Sequence, residues 1–540
     1  MFLNPYLTSS DLEFYETVKD FAKERVLPSV EDRDEHGVWG DDIWKEMGNM
    51  GLLGIPVPEE FGGQGGTCLQ CCIAQEAFNA GSLDGGFGLS WGAHMIIGTL
   101  PILFQGTEAQ KKKYLPKLAS GEWIAGLALT EPDSGSDAAA MNTFATKVDG
   151  GFILNGSKLF ITNGPNGQVF IVMARTTKSR GPMGVSAFIV ESHMKGFHIS
   201  KVLKKLGHNT SMTAELSFQD MFVPDENLLG PLNSGFVRIG KGTLEWERTV
   251  LVAAVPGGME FGLELSLDYA WKRHQFGKPI LSFFGVQEKI ARNWAYLCAS
   301  RRLIYFVANK KDQDPTASLP FESSALKVFV TETAEEVASD AVQIHGGMGY
   351  MRECHVSRQY RDVRLGTIGG GTTEVQKSII SSTYKGFEKL MGVLEQSQPE
   401  EIRAKAEKIL ANTPEEKVLT AAKELLKAAG EHSDRKKKQA LEFGFADLAV
   451  FVTTVQLGFW DTANSTSEYK SEDRQRDLKI LTFYAGCRFF KSVHFLKELD
   501  AEKTKNLMRL FSELPSVEKE VADCVEFLKN GVLGAQLELA

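Results

Sequence analysis

Three short stretches carry residues able to do chemistry. Leu365 to Gln376 reads LGTIGGGTTEVQ. Three glycines followed by two threonines have the form of a loop that holds a phosphate on backbone amides and hydroxyls. Leu127 to Thr143, LALTEPDSGSDAAAMNT, runs from an apolar segment into a turn dense in Pro, Gly, Ser and Asp, which again turns amides and hydroxyls toward a ligand. Lys158 to Gly164, KLFITNG, places Phe160 and Thr162 on one face of a strand. An aromatic plane beside a hydroxyl suits a flat heteroaromatic ring. Cys68 and Cys71 form a C-x-x-C, but no second CxxC or HxxxH pair completes a zinc site. Buried thiols are expected there, and no metal.

The elements that must position these stretches change character three times along the chain. From Ser10 to about Gly121 the apolar spacing is helical. In DLEFYETVKDFAKERVLP, Phe14, Tyr15, Val18, Phe21, Ala22 and Val26 form one stripe, with Pro28 expected to stop it. Next come short β-rich segments, GFILNGSKLFITNG, QVFIVMAR, GVSAFIVE and AELSFQDMFVP. The turns Asp149-Gly150, Asn155-Gly156 and Asn163-Gly164 separate them. Long amphipathic helices return near Gly235 and suit a bundle with room for a site between helices. The expected architecture is therefore α+β and multidomain. A helical domain spans 1–122, an antiparallel β-barrel or sandwich 123–235, a four-helix-bundle-like domain 236–390, and a helical extension 391–540.

With 540 residues, 43% hydrophobic and 24% charged, and a net charge of −9, the chain is ordinary globular material with no general attraction for nucleic acid. Seven scattered cysteines suit a reducing compartment. The opening residues show no secretion or organelle signal, so a cytoplasmic location is expected. The apolar run from Ala440 to Trp460 has nearly the length of a membrane span. Glu442, Asp447 and Gln456 within it favour a buried bundle helix. The alternative is peripheral membrane contact through 391–540, helped by the basic run Arg435-Lys436-Lys437-Lys438.

TEPDSGSD, NGSKLFITNG, DYAWKRHQFGKPI, QIHGGMGY and RDVRLGTIGGGTTEVQ, in this order and spacing, resemble the acyl-CoA dehydrogenase family of flavoproteins over about residues 5 to 388. The resemblance implies FAD and an acyl-CoA thioester bound among three domains. It implies Leu127, Leu129 and Thr130 beside the flavin pyrimidine, Gly135 and Ser136 near the pyrophosphate and substrate, and Phe160 and Thr162 against the flavin near its N5. Many members have Trp where this chain has Phe160. Arg273, Gln275, Phe276, Gln287, Gln343, Gly346 and Gly347 match positions that complete the FAD site across a subunit interface, and Arg273 is a sound partner for pyrophosphate. Thr372 and Glu374 match further FAD positions. His94 and His345 read as packing or hydrogen-bonding residues rather than catalysts.

The implied reaction removes an α-proton to a base while a β-hydride moves to flavin N5, giving the trans-2-enoyl-CoA. In short- and medium-chain members the base is a glutamate at the position of Gly370, which has no side chain to accept a proton. A second location, used by isovaleryl-CoA and long-chain-type members, matches Glu247-Arg248 in GTLEWERTVLVAAV. Glu245 is the rival, but two residues along a helix turn it to another face. Glu247 is the expected base and Arg248 a substrate neighbour. The Gly370 amide, with Gly371 beside it, is expected to donate to the thioester oxygen. Leu89 and Ala93 stand where polar residues close the pocket of medium-chain enzymes, which points to long or branched acyl groups. The extension is similar to that of very-long-chain members, which favours a homodimer over a tetramer. An electron-transfer flavoprotein is the implied next carrier. The rivals are an acyl-CoA oxidase, a flavin monooxygenase of the same fold, and a flavoprotein scaffold without catalysis.

Overall fold

The first apolar stripe folds as read: Tyr15, Val18, Ala22 and Val26 are fully buried. Helix α1 (Ser9–Phe21) does not stop at Pro28, however. A π-helical turn at Ala22–Val26 leads into α2 (Leu27–His36), with Pro28 in its first turn. The Leu27 N–H bonds back to the Ala22 carbonyl five residues earlier, so Pro28, which has no N–H to give, enters where the chain has already left the regular α-helical ladder. Helices α3 (Asp41–Asn49), α4 (Cys68–Ser82), α5 (Gly85–Gly92), α6 (Leu100–Gln105) and α7 (Glu108–Ala119) follow. In the computed structural model, residues 7–179, 181–315, 317–383, 400–431, 438–463 and 470–529 are described. They fall into two compact units: Ser9–Gly258 with Ala308–Ser318, here the N-terminal unit, and Met259–Val307 with Leu319–Ala540, the C-terminal unit.

The N-terminal unit contains strands β1 (Ala125–Ala128), β2 (Phe144–Val148), β3 (Gly151–Thr162), β4 (Val169–Arg175), β5 (Val185–Glu191), β6 (Phe197–Val202), β7 (Thr213–Pro224) and β8 (Leu228–Leu229). Their order is β6-β7-β3-β2-β4-β5-β8, with β1 pairing β4 off this path. This corrects the expected antiparallel barrel or sandwich, because β1 runs parallel to β4 and no closed barrel forms among the described residues. A parallel pair needs a long crossover, and the whole β2–β3 hairpin lies between these two strands in sequence. Turn signals account for only one hairpin. Asp149-Gly150 joins β2 to β3, whereas Asn155-Gly156 lies inside β3 at a register shift against β7. Glycine is needed there because a Cβ would run into Thr143 of the neighbouring segment. Phe152, Leu154, Phe170, Phe188, Leu216 and Met221 form the core between the strands.

Helices α8 (Lys241–Val250), α9 (Ala254–Lys272), α10 (Phe284–Gln313), α11 (Pro320–His345), α12 (His355–Val363) and α13 (Thr373–Ser382) follow, with a small hairpin of β9 (His274–Gln275) and β10 (Lys278–Pro279). Gly257 lets α9 touch α4 backbone to backbone. A Cβ there would collide with the Glu76 carbonyl and come within 2.7 Å of the Ala80 nitrogen. Gly257→Ala is therefore expected to destabilise the N-terminal unit by about 1–3 kcal/mol, the usual range for overpacking, as a lowered urea midpoint.

Beyond α13 the chain is helical in the segments Glu400–Leu410, Pro414–Glu431, Gln439–Asp461, Ser471–Phe489, Ala501–Ser512 and Glu518–Phe527. The Gln439–Asp461 helix is long and apolar enough to cross a bilayer, but 83% of its most apolar window is buried inside the protein, as a bundle helix requires. The 390/391 boundary and Arg435 to Lys437 lie outside the described residues.

Candidate active site

The turn after β1 is held from behind by two devices. The first is His94, which is fully buried. Its Nδ1 accepts from the Ala125 N–H and its Nε2 donates to the Leu118 carbonyl, both at 3.0 Å. These bonds fix the neutral tautomer and the start of β1, the hydrogen-bonding role expected of this residue. Burial pulls the imidazole down to about 4. Above pH 6.5 both folded and unfolded chains carry it neutral. Between pH 6.5 and 4 only the unfolded chain takes up the proton, so stability falls with pH by about 3 kcal/mol across that window. Unfolding midpoints at pH 7 and pH 4.5 are expected to show this loss, and His94→Gln to remove it at the expense of stability at pH 7.

The second device is Lys158, a fully buried lysine of β3. Its Nζ donates to the Leu129 carbonyl at 2.9 Å and pairs with Glu131 at 2.7 Å. Glu131 in turn accepts from the Asn142 and Thr143 N–H groups. Burial brings the Lys158 ammonium down to about 8. Burial also works to raise the Glu131 carboxyl, but Lys158 and the amides outweigh it and hold that carboxyl below its ordinary range. The Thr130 carbonyl accepts from the Leu159 N–H at 2.8 Å. Because a trans peptide sets N–H and C=O on opposite sides, the Thr130 N–H points away from the Lys158 ammonium that holds the Leu129 carbonyl.

Leu159 reaches Thr130 by leaving the sheet. The β3–β7 register shifts between Lys158 and Ile161, and Phe160 takes φ +62°. That conformation is strained for an aromatic residue, and it leaves Phe160 64% exposed while Ile161 stays buried. Thr162, half-buried, pairs with Thr213. Gly135 and Ser136 are exposed, and a Cβ on Gly135 would meet nothing within 4 Å. An open aromatic face, an outward amide and an open glycine backbone on one stretch fit a flat ring with a pyrophosphate tail.

The two acids of α8 have different surroundings. Glu245 is 5% exposed, pairs with Lys311 at 3.0 Å and accepts from Ser318 Oγ at 2.9 Å. A carboxylate engaged this way holds helices together. Glu247, two residues on, is half-buried beside Arg248. Burial lowers the pKa of the Arg248 guanidinium, with Glu247 and Glu245 opposing that shift. Leu251, one turn past Glu247, lies close to Gly92 of α5, where a Cβ would sit 2.9 Å from the leucine Cγ. Leu89 is half-buried and Ala93 fully buried.

In the C-terminal unit, Arg273, Gln275 and Phe276 project from the β9–β10 hairpin, all exposed, Phe276 at 93%. Gln287 is half-buried on α10, and Gln343 is exposed near the end of α11. Gly346 and Gly347 follow, and a Cβ on either would meet nothing within 4 Å. His345 stacks on Tyr269 and donates from Nδ1 to the Ala341 carbonyl, a packing role. In the glycine loop, Gly370 and Gly371 adopt φ +65° and +94°. The Gly371 carbonyl accepts from Lys327 Nζ at 2.8 Å, and Gln376 Nε2 donates to both glycine carbonyls, at 3.1 and 3.2 Å. Thr372 caps α13. Its hydroxyl and the backbone amide of Glu374 hold the Glu374 carboxyl below its usual range, the amide contributing most. Sequence reading missed Lys158, Lys311, Lys327 and Gln376. The available signal was a lysine inside an otherwise apolar run, as in ALKVFV.

Comparison with known proteins fits this geometry. Family models described as acyl-CoA dehydrogenase N-terminal, middle and C-terminal domains match residues 8–122, 126–221 and 233–384. The chain is 41% identical over 370 residues to a mitochondrial isovaleryl-CoA dehydrogenase of Solanum tuberosum, covering 68% of this chain and 89% of that protein. An acyl-CoA dehydrogenase of Bacillus anthracis, solved with FAD, superposes with a TM-score of 0.84 at 30% identity and covers 98% of this chain and 96% of that one. A prolyl acyl carrier protein oxidase matches with a TM-score of 0.68 at 32% identity, over 70% of this chain and 99% of that one. The chain thus belongs to the acyl-CoA dehydrogenase family, as an FAD-dependent oxidoreductase acting on acyl-CoA thioesters.

Proposed function

We propose that the protein dehydrogenates long or branched acyl-CoA thioesters to the trans-2-enoyl-CoA with Glu247 as base. The observation that carries this reading is the division of labour on α8. Glu245 is buried and binds Lys311 and Ser318, whereas Glu247 is half-buried on a different face of the helix beside Arg248. The glycine at position 370 supports it too, because a residue without a side chain brings no carboxylate to the loop. The likeness to an enzyme named for isovaleryl-CoA favours branched substrates.

When bound, FAD supplies the two-electron acceptor. By their match to the family's positions, Phe160, Thr130, Thr162, Gly135, Ser136, Thr372, Glu374, Gln343, Gly346 and Gly347 would hold it. Glu247 accepts the α-proton. A thioester α-carbon is weakly acidic, so the enolate oxygen needs hydrogen-bond donors as charge develops, and the Gly370 amide is the proposed one. Arg248 stands beside Glu247 to favour its ionised form before the proton arrives. The exposed hairpin of Arg273, Gln275 and Phe276, with Tyr350 83% exposed in the same unit, supports a homo-oligomer, a dimer in this reading. Electrons then pass to an electron-transfer flavoprotein.

The likeness to an oxidase favours a second reading, in which oxygen takes the electrons directly. Anaerobic mixing of the yellow protein with acyl-CoAs of graded length and branching tests the main reading. Flavin bleaching with a branched or long substrate is the expected result, and its absence with every acyl-CoA overturns it. Rapid hydrogen peroxide formation in air would establish the oxidase instead.

A further inference from the structure

The helix that starts at the glycine loop is gripped on two sides by charges. On one side, Gln376 of α13 and Lys327 of α11 hold the Gly370 and Gly371 carbonyls. On the other, Lys377, the next residue of α13, reaches into the C-terminal extension. Its ammonium lies 2.7 Å from Asp447 of the Gln439–Asp461 helix and 3.5 Å from Glu332 of α11. Asp447 is 6% exposed and also accepts from Ser492 Oγ. Arg488, from the Ser471–Phe489 helix, closes the network on Glu332 at 3.2 Å and on Glu336. Taking these charges out of water is expensive unless each is paired, so the network forms only when the extension is docked. Residues adjacent along α13 then transmit that docking, since Gln376 holds the loop and Lys377 is held by the extension. Both lie in one short helix of ten residues, too short to bend between them.

We infer that the C-terminal extension positions the glycine loop, with Asp447 and Lys377 as the positioning residues that lock α13. The inference rests on reading the Gly369–Thr372 loop as part of the FAD and thioester site. It gives the extension a task inside the catalytic part of the chain.

The test is Asp447→Asn in the full-length protein. Amide exchange of the 369–382 segment and FAD release on dilution are followed beside kcat and KM. The expected result is exchange in that segment, and FAD loss, faster by roughly 5- to 150-fold, the range of coupling between linked sites. Glu520→Gln is the control. It breaks the Lys479–Glu520 pair within the extension, 2.9 Å apart, and is expected to leave the loop unchanged. Loosening of the 439–461 helix with unchanged exchange at 369–382 overturns the inference, because the network would then serve docking alone. If Asp447→Asn does not fold, the paired change Lys377→Met with Asp447→Leu removes both charges and keeps the contact apolar. Loop exchange near wild type in that variant would support a purely structural contact and overturn the role of the ion pair. A wild-type protein that binds no FAD would refute the reading of the loop, while exchange at 369–382 would still judge the lock.

Discussion

Glu247→Gln is expected to slow anaerobic bleaching of the flavin by acyl-CoA by ~10²–10⁴-fold, the usual loss when a general base is removed. Glutamine keeps the size and a hydrogen-bonding end but cannot accept the α-proton. The protein should remain yellow and fold normally, because Glu247 is only half-buried and glutamine fills the same space. Glu245→Gln should behave in the opposite way. Its partner Lys311 is 3% exposed and would lose its counter-charge, so stability falls while bleaching in the surviving protein stays fast. Rapid mixing of both variants with the same acyl-CoA separates the two roles. Wild-type bleaching in Glu247→Gln would remove that residue from the mechanism.

The largest expected loss of stability comes from Lys158→Met. It leaves Glu131, 4% exposed, as an uncompensated buried carboxylate, which typically costs about 3–5 kcal/mol. The Leu129 carbonyl loses its donor at the same time. The double variant Lys158→Met with Glu131→Leu has no charge left to strand, so most of the stability should return. FAD affinity should not return, because the turn from Leu129 to Glu131 has lost the ammonium that oriented it. Thermal unfolding and equilibrium dialysis of FAD on the same three proteins distinguish folding from positioning. Full recovery of FAD binding in the double variant would show that only the ion pair mattered.

Much of this was legible in the sequence. The stripe from Tyr15 to Val26 and the strands at 151–162, 169–175, 185–191 and 213–224 follow from local pattern, the stripe burying one helical face and 169–175 and 185–191 being short apolar runs buried throughout. Sheet order was not legible. Which strands pair is decided by long-range contacts that leave no local signal, and Asn155-Gly156 carries a hairpin signal although a bulge occupies its place. Phe160 and the glycine triplet stand out by type and spacing, and Glu247 is singled out only by the resemblance to the family. The groups that orient them are less legible. Lys327 is marked only by the apolar run around it, and Lys158 and Lys377 take on a role only when the fold sets them against particular carbonyls and carboxylates.

The bulge in β3 also bears on how this chain can evolve. Three steps along β3 from Lys158 to Ile161 face two along β7, so losing one residue between them would repair the ladder while Ile161 and Thr162 kept Ala214 and Thr213 as partners. The repaired sheet would be the better-paired one, yet the strained turn that carries Phe160 would be gone and the backbone N–H that reaches the Thr130 carbonyl would be drawn back into the strand. Selection for stability and selection for activity therefore pull in opposite directions at this point. Point substitutions along β3 can be tried one at a time, but its length is inherited whole.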